Sequence, residues 1–357
     1  MSNGKQDNSK GTKGLTPKWK QALMTLKAPM PEMGVTKREH VWKKNKATLW
    51  YYPPVEKKYR VPVFIVYSLI NQPVILDLGP GMSMIEAFGK EGYEVYLLDF
   101  GSPGYEDGET NIDNYILDYI QKGVQRALRH SGAKEITIIG SCIGGTLVAM
   151  YAAVADEPIK NLILSAAPVD FSHSPTFDQW AEAIREDSVN FDEFLDAIHI
   201  IPAGYVKKGM RLITSPIYYS PYLSLLNKAD DPQYVASWRR LNAWTNGHIP
   251  LTGAAIKQMM HDWVRHNKLV KDTLYIKDKR ASLKNIKSNL LVVTTENENL
   301  VPFEMIKPVM NLVSSKDKTY RVLERGHATI SITDTLPLYI AEWLPSRSEP
   351  IRKGNEF

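Results

Sequence analysis

Gly140-Ser141-Cys142-Ile143-Gly144 holds the only cysteine of the 357-residue chain, at a point where a strand should turn sharply into a helix. The run before it, Glu135 to Ile139, is β-branched and apolar, as in a strand buried on both faces. The run after it, Gly145 to Ala155, is small and apolar with good helix formers. A residue held on such a turn between glycines presents its side chain above the strand end, and a thiolate there is a strong nucleophile. A lone cysteine is more often a small buried hydrophobe. The flanking glycines, the strand and the helix favour the nucleophile here.

A cysteine nucleophile needs a base, and the base needs a carboxylate that fixes its tautomer. In a strand–elbow–helix fold the chain order is nucleophile, carboxylate, histidine. Of eight histidines, His327 lies in Gly326-His327, between the last expected strand and the last expected helix. His130 ends a helix, where a cation complements the dipole. His40, His173, His199, His248, His261 and His266 are expected away from the core strand ends. The carboxylate is expected in the loop Thr295 to Pro302, which offers Glu298 and Glu296 and no aspartate; Glu298 is the first choice. An oxyanion would be met by the backbone N–H of Ile143 and by one from the loop Ser68-Leu69-Ile70-Asn71, taken at Leu69.

The elements that must position these residues alternate. Strands are expected at Thr48–Tyr52, Val61–Tyr67, Glu94–Asp99, Glu135–Ile139, Lys160–Ala166, Asn289–Thr295 and Lys318–Leu323. Helices are expected at Ser83–Phe88, Asp113–His130, Glu304–Val313 and Thr335–Trp343, the second carrying Ile116, Ile120, Val124 and Leu128 on one stripe and stopping at Gly132. This alternation predicts an α/β fold with a mostly parallel sheet, of the α/β-hydrolase kind. After Pro168 the rhythm breaks into aromatics, prolines and helical patches such as Trp238–Trp244, which reads as an inserted cap (lid). The expected organisation is residues 41–169 and 286–357 as core and 170–285 as cap. Residues 1–40 are expected to be a disordered or short helical segment, with a helix possible at Trp19–Ala28.

Composition narrows the classes. A 43% apolar fraction is enough for a substantial core, and a net charge of +5 with interspersed acids gives nucleic-acid binding little support. One cysteine excludes an internal disulfide and suits a reducing cytosol. No run approaches the roughly 18 apolar residues of a membrane span, and the polar, lysine-rich N-terminus lacks a secretory apolar region. A cytoplasmic protein without metal or other cofactor is expected.

The motifs also carry a resemblance. Gly140-x-Cys142-x-Gly144-Gly145 resembles the lipase-like box of the polyhydroxyalkanoate (PHA) synthases, which carry cysteine where lipases carry serine. Tyr67 to Leu78 resembles that family's segment between an early strand and the next helix, and Asp99-Phe100-Gly101 its Asp-Trp-Gly, with phenylalanine for tryptophan. Ser237-Trp238-Arg239 and Asn267-Lys268-Leu269-Val270 resemble cap signatures, and Gly326-His327 the family's Gly-His. The resemblance runs from about Val41 to Trp343.

It implies polymerisation of (R)-3-hydroxyacyl-CoA, such as 3-hydroxybutyryl-CoA, into polyester with release of CoA through an acyl-Cys142 enzyme. The short N-terminal part resembles the two-component synthases of classes III and IV. That implies a second synthase subunit, an oligomer and a place at the surface of polyester granules in the cytoplasm. Where the family carries an aspartate followed by histidine, this chain has Glu298-Asn299. Two other readings fit the same scaffold: a thioesterase that uses water as acceptor, and a non-catalytic granule-associated subunit.

Overall fold

The computed structural model describes Met24, residues 27–172, 178–186, 188, 190–213, 225, 227–296, 300–324, 326–327 and 332–351. The strands are β1 (Glu39–Lys44), β2 (Ala47–Tyr52), β3 (Val63–Val66), β4 (Val95–Asp99), β5 (Ile136–Ser141) and β6 (Ile159–Ser165). They continue with β7 (Ile200–Ile201), β8 (Leu251–Thr252), β9 (Tyr275–Ile276), β10 (Lys279–Arg280), β11 (Asn289–Thr295) and β12 (Lys318–Leu323). Eight of them form one sheet in the order β1-β2-β4-β3-β5-β6-β11-β12. Pairing is parallel from β4 to β12, and antiparallel for β1 with β2 and β2 with β4.

The central strands are apolar on both faces because helices cover both faces. Every residue of β3 and β5 is buried. Phe64, Val66, Ile136 and Ile138 pack on one side with Ile116, Ile120 and Leu147. Val63, Ile65 and Ile139 pack on the other with Ile85, Phe88 and Trp343. The sheet is therefore the middle layer of three, as the alternation predicts.

Four local features differ from the sequence reading. β1 was not expected; its exposed charged residues mask a strand that pairs only at the sheet edge. The helix expected at Asp113–His130 runs as Ile112–Asn114, a π-helical stretch Tyr115–Gln121 and Lys122–Ser131. The wider turn places Tyr115 and Tyr119 together on the buried face, both edge-on to Phe100. The helix expected at Glu304–Val313 splits into Phe303–Ile306 and Val309–Leu312 because Pro308 lacks the N–H that would continue the ladder. The last helix starts at Leu338 rather than Thr335, behind Pro337 in extended backbone.

Between β6 and β11 the described residues are mainly helical, with β7–β8 and β9–β10 as two-residue ladders. Its longest helix, Pro232–Asn246, contains the stretch Trp238–Trp244 and is capped by the Asp231 carboxylate, which accepts from the N–H groups of Gln233 and Tyr234. The expected helix at Trp19–Ala28 lies largely outside the described residues. Among the described residues, no helix is long and apolar enough to cross a membrane.

Candidate active site

Parallel strands deliver the loops after their C-terminal ends to one edge of the sheet, where ligands of open α/β sheets bind. On this edge lie Tyr67–Asn71 after β3, Cys142 after β5, Ala166 after β6, Glu296 after β11 and His327 after β12.

Cys142 sits between β5 and the elbow helix, Ile143–Val154, with φ 52° and ψ −130°. For a residue with a Cβ this conformation costs about 1–3 kcal/mol and persists only where its surroundings impose it. Here the Cys142 N–H donates to the Ser165 carbonyl at 2.9 Å, and the Cys142 carbonyl accepts from Gly145 N–H at 2.8 Å. The glycines are required by space. A Cβ at Gly144 would meet the Tyr67 and Val66 carbonyls, one at Gly145 the Ala167 side chain, and one at Gly140 the Val148 side chain. Behind the turn Thr146 Oγ1 donates to the Pro168 carbonyl at 2.6 Å. The thiol is half-buried and free.

Ile143 is the first residue of the elbow helix, so its N–H has no acceptor within the helix. Leu69 is buried, in the loop that leaves β3 beside the elbow. That loop is pinned from above. The Asn71 side-chain amide donates to the Trp244 carbonyl at 3.0 Å, and Trp244 Nε1 donates to the Gln72 carbonyl at 2.8 Å. Asn71 and His248 form an antiparallel bridge, and Ile249 N–H donates to the Ile70 carbonyl at 3.3 Å. The segment between β6 and β11 thus holds the backbone from which the expected oxyanion donor comes.

Tyr67 is a neighbour of the elbow that the motifs do not single out. β3 and β5 pair Val66 with Gly140, which sets Tyr67 next to Ser141 and Cys142. Its ring meets Trp244 edge-on, with centroids 6.5 Å apart. Burial first, and then the nearby Cys142, hold the phenol protonated well above the usual tyrosine range. Asp99, at the end of β4, accepts from Gly101 N–H at 2.9 Å, and burial raises its carboxyl above the usual carboxylate range. Phe100 beside it is occupied in packing against Tyr115 and Tyr119.

His327 is half-buried in the loop after β12. Glu296, at the end of β11, donates its N–H to the Leu323 carbonyl at 3.0 Å, so the two loops leave the sheet side by side. Glu298 lies outside the described residues. Most of the other described histidines are engaged elsewhere. His130 Nδ1 lies 2.8 Å from the Tyr96 hydroxyl, and His199 Nδ1 3.1 Å from Glu109. His261 Nε2 is 2.9 Å from Asp192, and His40 packs edge-on against Trp50. His248 departs from expectation, since its bridge to Asn71 brings it to the loop after β3, a pairing that no local signal marks. Among the described residues, no group of histidine, cysteine and carboxylate ligands could hold a metal ion.

Comparison with known proteins agrees with this architecture. A family model of the α/β hydrolase fold matches residues 62–198. The chain is 31% identical over 326 residues to a poly(3-hydroxyalkanoate) polymerase subunit PhaC of Haloferax mediterranei, covering 89% of this chain and 65% of the relative's length. It is 30% identical over 332 residues to the corresponding PhaC of Haloarcula marismortui, covering 89% and 69%. Among solved structures, a soluble variant of the monoglyceride lipase of Saccharomyces cerevisiae superposes with a TM-score of 0.59 at 16% identity, over 90% of this chain and 99% of that one. That likeness is one of fold. With a cysteine on the elbow of an α/β-hydrolase sheet and relatives at this level, the chain belongs to the PhaC family of poly(3-hydroxyalkanoate) polymerase subunits.

Proposed function

We propose that this chain is the catalytic subunit of a PHA synthase of the short, two-component type. It polymerises (R)-3-hydroxyacyl-CoA, with 3-hydroxybutyryl-CoA as the expected monomer, and releases CoA. The observation that carries this reading is a cysteine, rather than a serine, on a strained elbow in a chain of the PhaC family.

In this mechanism His327 takes the proton from the Cys142 thiol, oriented by a carboxylate from the loop after β11, Glu298 in the first instance. The thiolate attacks the thioester carbonyl, and the oxyanion is met by the N–H groups of Ile143 and Leu69. Collapse breaks the bond to the CoA sulfur, which leaves with the proton held by His327. The acyl group has then passed between two thiols, at little free-energy change. Next, His327 takes the proton of the 3-hydroxyl of another acyl unit, whose oxygen attacks the acyl-Cys142 carbonyl. An ester bond forms, the C–S bond breaks, and the proton returns to the Cys142 sulfur.

Residues 170–285 act as a cap in this reading, covering Cys142 while leaving an exit for an apolar chain. The partners are the acyl-CoA, the growing polyester and a second synthase subunit, in an oligomer at the granule surface in the cytoplasm. The test is incubation with 3-hydroxybutyryl-CoA, with and without a candidate second subunit. CoA together with insoluble polyester is the expected result. CoA with soluble acid would make the chain a thioesterase, and neither product would make it a non-catalytic subunit.

A further inference from the structure

The segment that holds the loop after β3 also gathers positive charge. The β7–β8 ladder pairs Ile201 with Leu251, so the helix that follows, Ala203–Ile213, starts beside the stretch that contains His248. Lys207 and Arg211 are one helical turn apart on it, hence on one face. Arg211 donates to the Asn246 side-chain oxygen at 2.7 Å, two residues before His248. Lys207 is half-buried. Burial first, and then the charges of Lys207 and Arg211, push the His248 imidazole below its usual pKa. His248 Nδ1 is buried with no hydrogen-bond partner. Two cations and a buried, unpartnered ring nitrogen therefore lie in one neighbourhood, which the Asn71–His248 bridge joins to the loop after β3.

Like charges held together over a low-dielectric surface favour a multivalent anion. We propose that Lys207 and Arg211, together with His248, form a subsite for the phosphate groups of a CoA thioester. This rests on the acyl-transfer reading above. The subsite is joined through the Asn71–His248 bridge to the loop that carries Leu69, so phosphate binding and thioester placement share one support. Phosphate oxygens would lie against the two side chains as charge-assisted hydrogen-bond acceptors, while the pantetheine arm leads toward Cys142.

The test compares 3-hydroxybutyryl-CoA with the N-acetylcysteamine thioester of the same acid, which lacks phosphate. In the variant K207A/R211A the ratio of kcat/KM for the CoA thioester to that for the phosphate-free thioester should fall at least tenfold, mainly through KM. Lys207→Glu should fall further. Raising the ionic strength should lower the same ratio in the wild type and move it little in the double variant. An unchanged ratio, or an equal loss with both thioesters, overturns the subsite. Should the wild type turn over neither thioester, the acyl-transfer reading fails. Calorimetry with CoA itself then decides the subsite: binding that K207A/R211A weakens tenfold upholds it, and binding unaffected by the variant removes it.

Discussion

The side-chain amide of Asn71 donates to the backbone carbonyl of Trp244 at 3.0 Å, across 173 positions of sequence. Its carbonyl oxygen accepts from the N–H of Gln72 at 2.7 Å, so both ends of a nearly buried amide are used. The contact couples the loop beside the elbow to the end of the longest helix of the inserted segment. Any rearrangement of that segment acts on the backbone that carries Leu69.

Asn71→Ala removes one hydrogen bond from the Trp244 carbonyl, which keeps the Gly247 N–H as a donor, a loss of about 0.5–1.5 kcal/mol. The expected outcome is a fold retained by circular dichroism, a lower melting temperature, and CoA release reduced through kcat more than KM. A kcat equal to wild type would show that the loop is placed without Asn71. Asn71→Asp removes the donor while keeping shape, and should reproduce the kcat loss.

Cys142→Ala should abolish CoA release and leave the fold intact, because removing one sulfur costs a few kcal/mol of packing at most, on the order of 1–3. Cys142→Ser should be far less active than wild type, since a hydroxyl needs different surroundings to serve as nucleophile. With one cysteine in the chain, a single equivalent of iodoacetamide should inactivate the enzyme, and bound acyl-CoA should slow the reaction. Polymer made by the alanine variant would end the assignment.

Gly144→Ala tests the elbow through sterics alone. The added methyl would collide with the Tyr67 and Val66 carbonyls, which belong to backbone and cannot swing away. Overpacking of this kind costs about 1–3 kcal/mol. Its local relief would displace the Ile143 N–H, so activity should fall by more than stability. Gly132→Ala is the control: its left-handed φ of 67° makes it costly too, but nothing lies within 4 Å of the new methyl and the site is remote. Gly132→Ala should destabilise without a matching loss of kcat.

Much of this arrangement is legible in the chain because local signals and global fold agree. The apolar runs of β3, β5 and β11 have no other place than the middle of a covered sheet, and Gly140, Gly144 and Gly145 mark a turn too tight for a Cβ. What is not legible comes from pairing between segments. β1 looks like surface because only its partner's register makes it a strand. Tyr67 reads as the end of an apolar run, yet the β3–β5 register brings it to Cys142. His248 sits in a stretch without periodicity, and only its bridge to Asn71 brings it to the site. No local pattern encodes these contacts, since each depends on which segments pair and in what register.

The carboxylate is the remaining element of the proposed triad, and its two candidates are separable by mutation. Glu296 is exposed, and its backbone is committed to the Leu323 carbonyl at the point where β11 ends beside β12. Glu298 follows two residues later in the same loop, at the position where the PHA synthases carry aspartate. If Glu298 orients His327, Glu298→Ala should cut kcat heavily, toward the roughly 10⁴-fold loss that follows neutralisation of a triad aspartate. Glu298→Asp should retain or raise activity, because the shorter side chain is what a loop of this family normally places there. Glu296→Ala should then leave kcat within a few-fold of wild type. The reverse pattern transfers the role to Glu296 with the rest of the mechanism intact. If both alanine variants turn over like wild type, no carboxylate of this loop supports His327, and the triad reduces to the pair Cys142 and His327.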